Sequence, residues 1–236
     1  MKVLIIGGSG YLGRLVLPFL AEQHALRVFD LAPPADPAWE YVPGNVGDLA
    51  ALSQAAEGMD ALLYMAMGNK EYALPDAITT NFDVNIKGVY LALYAAQHAG
   101  VAQAVYTSSM SIYGGNLLER YFPDEELTPD SSHLYGFTKR LGEEVCRNAA
   151  REWNMSVNAL RLCFPISEDE WQSTTRLGTP TIATTAADVA RALLAALEYR
   201  GGFQTFMISG DYEQKLLNMS KAQRLLGWAP LARPRE

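Results

Sequence analysis

Tyr135 and Lys139 are the side chains of this sequence best suited to moving a proton. Four residues apart in a helix, they share one face. A phenol titrates at about pH 10, too high for acid/base work at neutral pH. A neighbouring ammonium favours the phenolate and lowers that value. Ser109 ends an aliphatic run and can hydrogen-bond the oxygen that exchanges a proton with Tyr135. The three residues suit interconversion of an alcohol and a ketone, which also needs a hydride carrier.

The carrier's place is marked by the first thirteen residues. Val3 to Ile6 read as a buried strand. Gly7, Gly10 and Gly13 then turn the chain into a helix. The first glycine permits a tight turn, the second a close approach of a pyrophosphate, and the third close packing of helix and strand. Tyr11 and Leu12 open that helix, whose free N–H groups and partial positive charge suit the pyrophosphate. Asp30 ends the second strand, 20 residues after Gly10. An acid there accepts bonds from an adenosine ribose and repels a 2′-phosphate, so NAD is expected over NADP.

The elements that position these groups alternate strand and helix. A helix over 11–23 contains Pro18, which should bend it. Asp48 is a good N-cap for a helix beginning at Leu49, and both residues are placed at the adenine end. The stretch Met65-Ala66-Met67-Gly68-Asn69 closes the fourth strand over the cofactor. A helix over 79–98 carries Asn85 and is apolar on too many sides for one buried face, so sheet and partner subunit should both cover it. A second long helix over 132–153 carries Tyr135 and Lys139. The alternation implies an α/β fold, a doubly wound parallel sheet of Rossmann type. After Pro165 the pattern changes, and 166–236 is expected as a small substrate lobe beside a domain over 1–165.

Composition narrows the classes. The chain has 236 residues, is 49% hydrophobic and carries a net charge of −7. That balance argues against a nucleic-acid or anionic-membrane surface. No apolar run approaches a membrane span or a signal-peptide core. The two cysteines, Cys146 and Cys163, have no metal-ligand spacing. No metal is expected, and a cytoplasmic location is.

Several motifs in one order carry a resemblance: Gly7-x-x-Gly10-x-x-Gly13, Asp30, Asp48-Leu49, Asn85-Ile-Lys-Gly88, Ser108-Ser109-Met-Ser-Ile-Tyr113-Gly114, Tyr135-Gly-Phe-Thr-Lys139 and Leu160-Arg161. The chain resembles the extended short-chain dehydrogenase/reductase superfamily, in its NAD-dependent epimerase/dehydratase branch. The resemblance implies a catalytic triad of Ser109, Tyr135 and Lys139, with Asn85 supporting a water or the lysine. It implies that Lys139 holds the nicotinamide ribose, that Pro165 lines the nicotinamide, and that the two long helices form a homodimer interface.

Departures bear on substrate. Dehydratases of this branch carry Asp-Glu after the catalytic hydroxyl residue, where this chain has Met110 and Ser111. Only 71 residues follow Pro165, which suits a small substrate and resembles the uronate-dehydrogenase layout. On that reading Arg176 would pair a carboxylate. Asn69, Ser111, His133 and Phe164 would border the pocket. The expected function is NAD-dependent oxidation or epimerisation at a secondary alcohol or hemiacetal of a small sugar or uronic acid. The alternatives are a nucleotide-sugar epimerase and a non-catalytic NAD-binding sensor or scaffold.

Overall fold

Aliphatic strands with no polar face must be covered on both sides, and the fold follows from this. The computed structural model describes residues 1–234. Its strands are β1 (Lys2–Ile6), β2 (Ala25–Asp30), β3 (Glu40–Pro43), β4 (Ala61–Tyr64), β5 (Gln103–Ser109), β6 (Ser156–Leu162), β7 (Pro165–Ile166), β8 (Thr184–Thr185) and β9 (Phe203–Ile208). The helices are α1 (Tyr11–Ala21), α2 (Leu49–Ala56), α3 (Pro75–Phe82), α4 (Val89–His98), α5 (Leu134–Trp153), α6 (Glu168–Thr174), α7 (Ala186–Glu198) and α8 (Ser220–Leu226).

Seven strands form one parallel sheet in the order β3-β2-β1-β4-β5-β6-β9. The chain winds outward from β1 to β3, then returns to β4 and winds the other way. The carboxyl ends of β1 and β4 therefore flank a switch point, where such sheets bind ligands. Val3, Ile5, Val16, Leu17 and Leu193 pack in the core that contains α1 and α7. Leu4, Ile6, Leu52, Ala92 and Cys146 pack on the other face, under α2, α4 and α5.

Gly7 has φ +82°, and a Cβ there would overlap the backbone of Ala66. It thus supplies both the expected turn and a close approach between the ends of β1 and β4. A Cβ at Gly13 would overlap the Gly8 carbonyl, so that glycine packs α1 onto the turn itself.

Several elements differ from the periodicity. Pro18 lies inside α1, which runs unbroken to Ala21. The helix expected from residue 79 starts at Pro75, whose missing N–H costs nothing in a first turn. A π-helical turn, Asp83–Gly88, then separates α3 from α4. The Tyr64 hydroxyl donates to the Val84 carbonyl at 2.6 Å, and the bare Gly88 leaves room for that phenol. Insertion of a side chain into a helical ladder is a recognised cause of such widening.

The C-terminal stretch is interleaved with the sheet. β9 pairs with β6, and α7 packs against α1. The Asp188 carboxylate receives Leu231 N and Ala232 N at 3.1 Å, tying the tail to α7. β7 and β8 form a separate two-stranded sheet that packs with α6 and α7.

Gly7→Ala should lower stability by roughly 1–3 kcal/mol, the usual cost of a strained backbone residue, read as a fall in the urea midpoint.

Candidate active site

A cleft of about 780 Å³ opens at the carboxyl edge of the sheet. Gly7, Gly10, Tyr11, Leu12, Asp30, Met65, Ala66, Met67 and Pro165 line it, as the sequence suggests. Ser109, Ser111, Tyr135, Lys139 and Phe164 line the same cleft.

One end is a cradle for an anion. Gly10 is the N-cap of α1, with no side-chain cap bond and no acid in the first turn. A Cβ at Gly10 would meet only the Gly7 carbonyl, at 3.5 Å. Backbone donors and the helix dipole are left free for a pyrophosphate. Asp30 braces this turn: its carboxylate accepts Ser9 N at 2.9 Å and Leu31 N at 2.7 Å. The Ser9 hydroxyl donates to the Ala32 carbonyl at 2.6 Å. These residues fit a dinucleotide.

The other end holds the titratable groups. The Ser109 hydroxyl shares a hydrogen bond with the Tyr135 phenol and accepts Ser111 N at 3.1 Å. The Lys139 ammonium donates to the Thr107 carbonyl at 2.7 Å. It lies 4.8 Å from the Tyr106 ring centroid and 5.9 Å from that of Tyr135. Tyr72 closes this end, 6.3 Å from Tyr135 between ring centroids. The arrangement can pass a proton between a substrate oxygen and Tyr135 while Ser109 holds that oxygen.

The free site does not show the lowered phenol expected from the Tyr–Lys pair. Burial pushes Tyr135 up to about 12, against the Ser109 bond that pulls it down. Burial also pulls Lys139 down to about 7. Desolvation disfavours both charged forms, and at this depth it is the largest cause for each.

Other expected residues lie elsewhere. Asn85 bonds elsewhere: its Oδ1 accepts Gly68 N at 3.1 Å, and its Nδ2 donates to Asn81 and Thr138, each at 2.9 Å. It joins the loop after β4 to α5. Asp48 and Leu49 are not part of the cleft wall; Asp48 caps α2 by accepting Ala51 N at 3.1 Å, and Asn45 and Val46 take the wall position. The Asn69 amide donates to Asp76 at 3.2 Å, and its oxygen accepts Glu71 N. Arg176 is exposed and donates to the Ser173 and Thr175 carbonyls at 2.7 and 3.1 Å, which holds the guanidinium in its own turn. His133 is exposed and stacks edge-on against Tyr72, with centroids 4.7 Å apart.

Tyr72, Lys70, Thr107 and Ser108 line the cleft without having been singled out from sequence. Thr107 and Ser108 could have been found by following β5 back from Ser109. Tyr72 and Lys70 sit on an irregular connection with no periodicity to reveal them.

The buried amine makes a pH prediction. Between about pH 7 and 10.5 the unfolded chain holds a proton at Lys139 that the folded chain has released. Stability therefore gains from this group as pH rises through that window. Urea unfolding should show Lys139→Met more stable relative to wild type at pH 6.5 than at pH 9, within roughly 1–3 kcal/mol.

Comparisons with known proteins agree with this geometry. The family model described as "NAD dependent epimerase/dehydratase family" matches residues 3–185. A 3 beta-hydroxysteroid dehydrogenase/Delta 5-->4-isomerase of Mycobacterium tuberculosis is 36% identical over 152 residues, covering 60% of this chain and 41% of that protein. A uronate dehydrogenase of Pseudomonas putida is 30% identical over 154 residues, covering 61% of this chain and 53% of that protein. The chain thus spans about half, or less, of the length of these relatives. A crystal structure of a short-chain dehydrogenase/reductase superfamily protein from Agrobacterium tumefaciens, with bound NAD, shares the fold at a TM-score of 0.81 and 22% identity, covering 99% of this chain and 93% of that one. By its matched residues and its fold, the chain belongs to the NAD-dependent epimerase/dehydratase family.

Proposed function

We propose that this chain is an NAD-dependent oxidoreductase or epimerase acting on a secondary alcohol or hemiacetal of a small sugar-like substrate. One observation carries the reading: the Ser109–Tyr135 hydroxyl pair, with the Lys139 ammonium one helical turn away, lies in the cleft that the glycine turn opens. Tyr135 takes or gives the proton of the reacting oxygen. Ser109 holds that oxygen. Lys139, when protonated, puts positive charge beside the phenol, and it would hold the nicotinamide ribose. Bound NAD supplies the hydride acceptor and, when oxidised, a positive ring. Gly10, Tyr11 and Leu12 would hold its pyrophosphate, and Asp30 its adenosine ribose, with NAD favoured over NADP.

The substrate reading rests on hydroxyl chemistry. Arg176 is exposed, and its Nη1 donates to two carbonyls of its own turn, so the reading does not rest on a carboxylate grip.

Uronic acids, aldoses, polyols and a 3β-hydroxysteroid should be assayed with NAD and with NADP, following reduced-nicotinamide absorbance. A product assay covers an epimerase, which shows no net reduction. At least one sugar-class compound is expected to turn over, and Tyr135→Phe should slow it about 10²–10⁴-fold while NAD still binds. Turnover of the steroid alone would overturn the substrate class. An unchanged rate in Tyr135→Phe would overturn the triad. NAD should bind at least about tenfold more tightly than NADP, a difference of ~1.4 kcal/mol.

We also propose a homodimer through α4 and α5. Tyr90 is 41% exposed and packs with Tyr94 and Trp153 at the edge of these helices. Exposed aromatic clusters of this kind mark interaction surfaces. Light scattering should give twice the chain mass, and Tyr90→Glu should give the monomer. A monomeric wild type would exclude the dimer.

A further inference from the structure

Lys139 and Glu143 stand one turn apart on α5 and are almost wholly buried, at 2% and 3% exposure. A buried carboxylate needs partners, and this one has three contacts. Its Oε1 accepts the Ser108 hydroxyl at 2.6 Å and Arg161 Nε at 3.0 Å. Its Oε2 accepts Arg161 Nη2 at 2.9 Å. Arg161 is itself fixed by the Tyr113 hydroxyl and the Glu125 carbonyl, each at 2.8 Å. Ser108 lines the cleft and adjoins Ser109. One carboxylate therefore ties the end of β5 to the helix turn that carries the amine.

We propose that Glu143 is a positioning residue for the active site: held by Arg161 and Ser108, its carboxylate opposes loss of the Lys139 proton and keeps the amine in register with Ser109 and Tyr135. The significance of that role rests on the triad reading given above. The carboxylate opposes the burial that draws the proton off Lys139. The other titratable groups near the amine are Tyr135 and Cys146 on α5 and Tyr106 on β5. Burial raises all three, so none is ionised at neutral pH. Glu143, paired with Arg161, is the neighbouring carboxylate. Around Glu143 itself stand Arg161 from β6, Ser108 from β5, Cys146 from α5, and Tyr113 and Glu125 from the connection after β5.

The test reads Lys139 directly, by carbon-13 NMR titration of lysine-labelled protein without cofactor or substrate. Glu143→Gln should lower the midpoint by about one unit, a tenfold loss of proton affinity. Arg161→Met, which leaves the carboxylate unshared, should raise it. Glu143→Asp keeps the charge on a shorter arm and should shift it down by less than Gln; it also serves if Glu143→Gln does not fold. Opposite signs for Glu143→Gln and Arg161→Met are the signature of an electrostatic role, because loosened packing would move both the same way. Shifts of equal sign, or a midpoint unmoved in the folded variants, would overturn the proposal. The readout needs no turnover, so an inactive enzyme showing the expected shifts counts against the reaction and not against Glu143.

Discussion

An ammonium taken out of water loses its proton unless its surroundings replace the lost hydration. Lys139 has this problem, and much of the architecture near it answers to it. The Thr107 carbonyl accepts one of its N–H bonds, and the Tyr106 ring offers a π face. For both to reach it, α5 must lie very close to β5. Cβ atoms at Gly136 and Gly142 would overlap the Ser111 carbonyl and the Tyr106 hydroxyl. Bare positions on either side of the Tyr135–Lys139 turn are what permit that approach. Asn85 adds a second constraint by bonding Thr138, the residue before Lys139.

The same closeness decides the electrostatics. A phenol and an amine in bulk water would settle toward phenolate and ammonium only above neutral pH. Here the low dielectric disfavours both charges, raising one group and lowering the other. The free protein is therefore a site in which a small added charge has large leverage. The dinucleotide and Glu143 lie on opposite sides of this question: one is a ligand, the other a fixed part of the scaffold.

What could be read from the sequence was what local backbone geometry enforces. The glycine turn was legible because a positive φ and an uncapped helix start leave compositional traces at Gly7 and Gly10. The Asp48 cap was legible from its residue type. What escaped depends on partners far away in the chain. The π-helical turn arises because Tyr64, twenty residues earlier, inserts its hydroxyl. Asn85 was read as a support for a water or the lysine, and its amide bonds Gly68, Asn81 and Thr138. Arg176 was read as a carboxylate partner, and its Nη1 donates to two carbonyls of its own turn. Residue type names what a side chain can do, and competition among neighbours decides what it does.

Phe164 shows that competition settled at a cost. It has φ +41°, is 67% exposed and forms part of the cleft wall. A bulky residue in the left-handed region costs roughly 1–3 kcal/mol and persists only where its surroundings over-determine it. Two bonds from Thr184 do so: its N–H donates to the Phe164 carbonyl at 3.0 Å, and its hydroxyl to the Cys163 carbonyl at 2.6 Å. Burial cannot be the compensation, because most of the ring faces solvent. The backbone on both sides is instead fixed to β8, whose Thr185 also caps α7, so the strain is borne by that two-stranded sheet. That small sheet thereby sets the position of an apolar ring in the cleft wall and ties the wall to the β7 residues Pro165 and Ile166, which line it too.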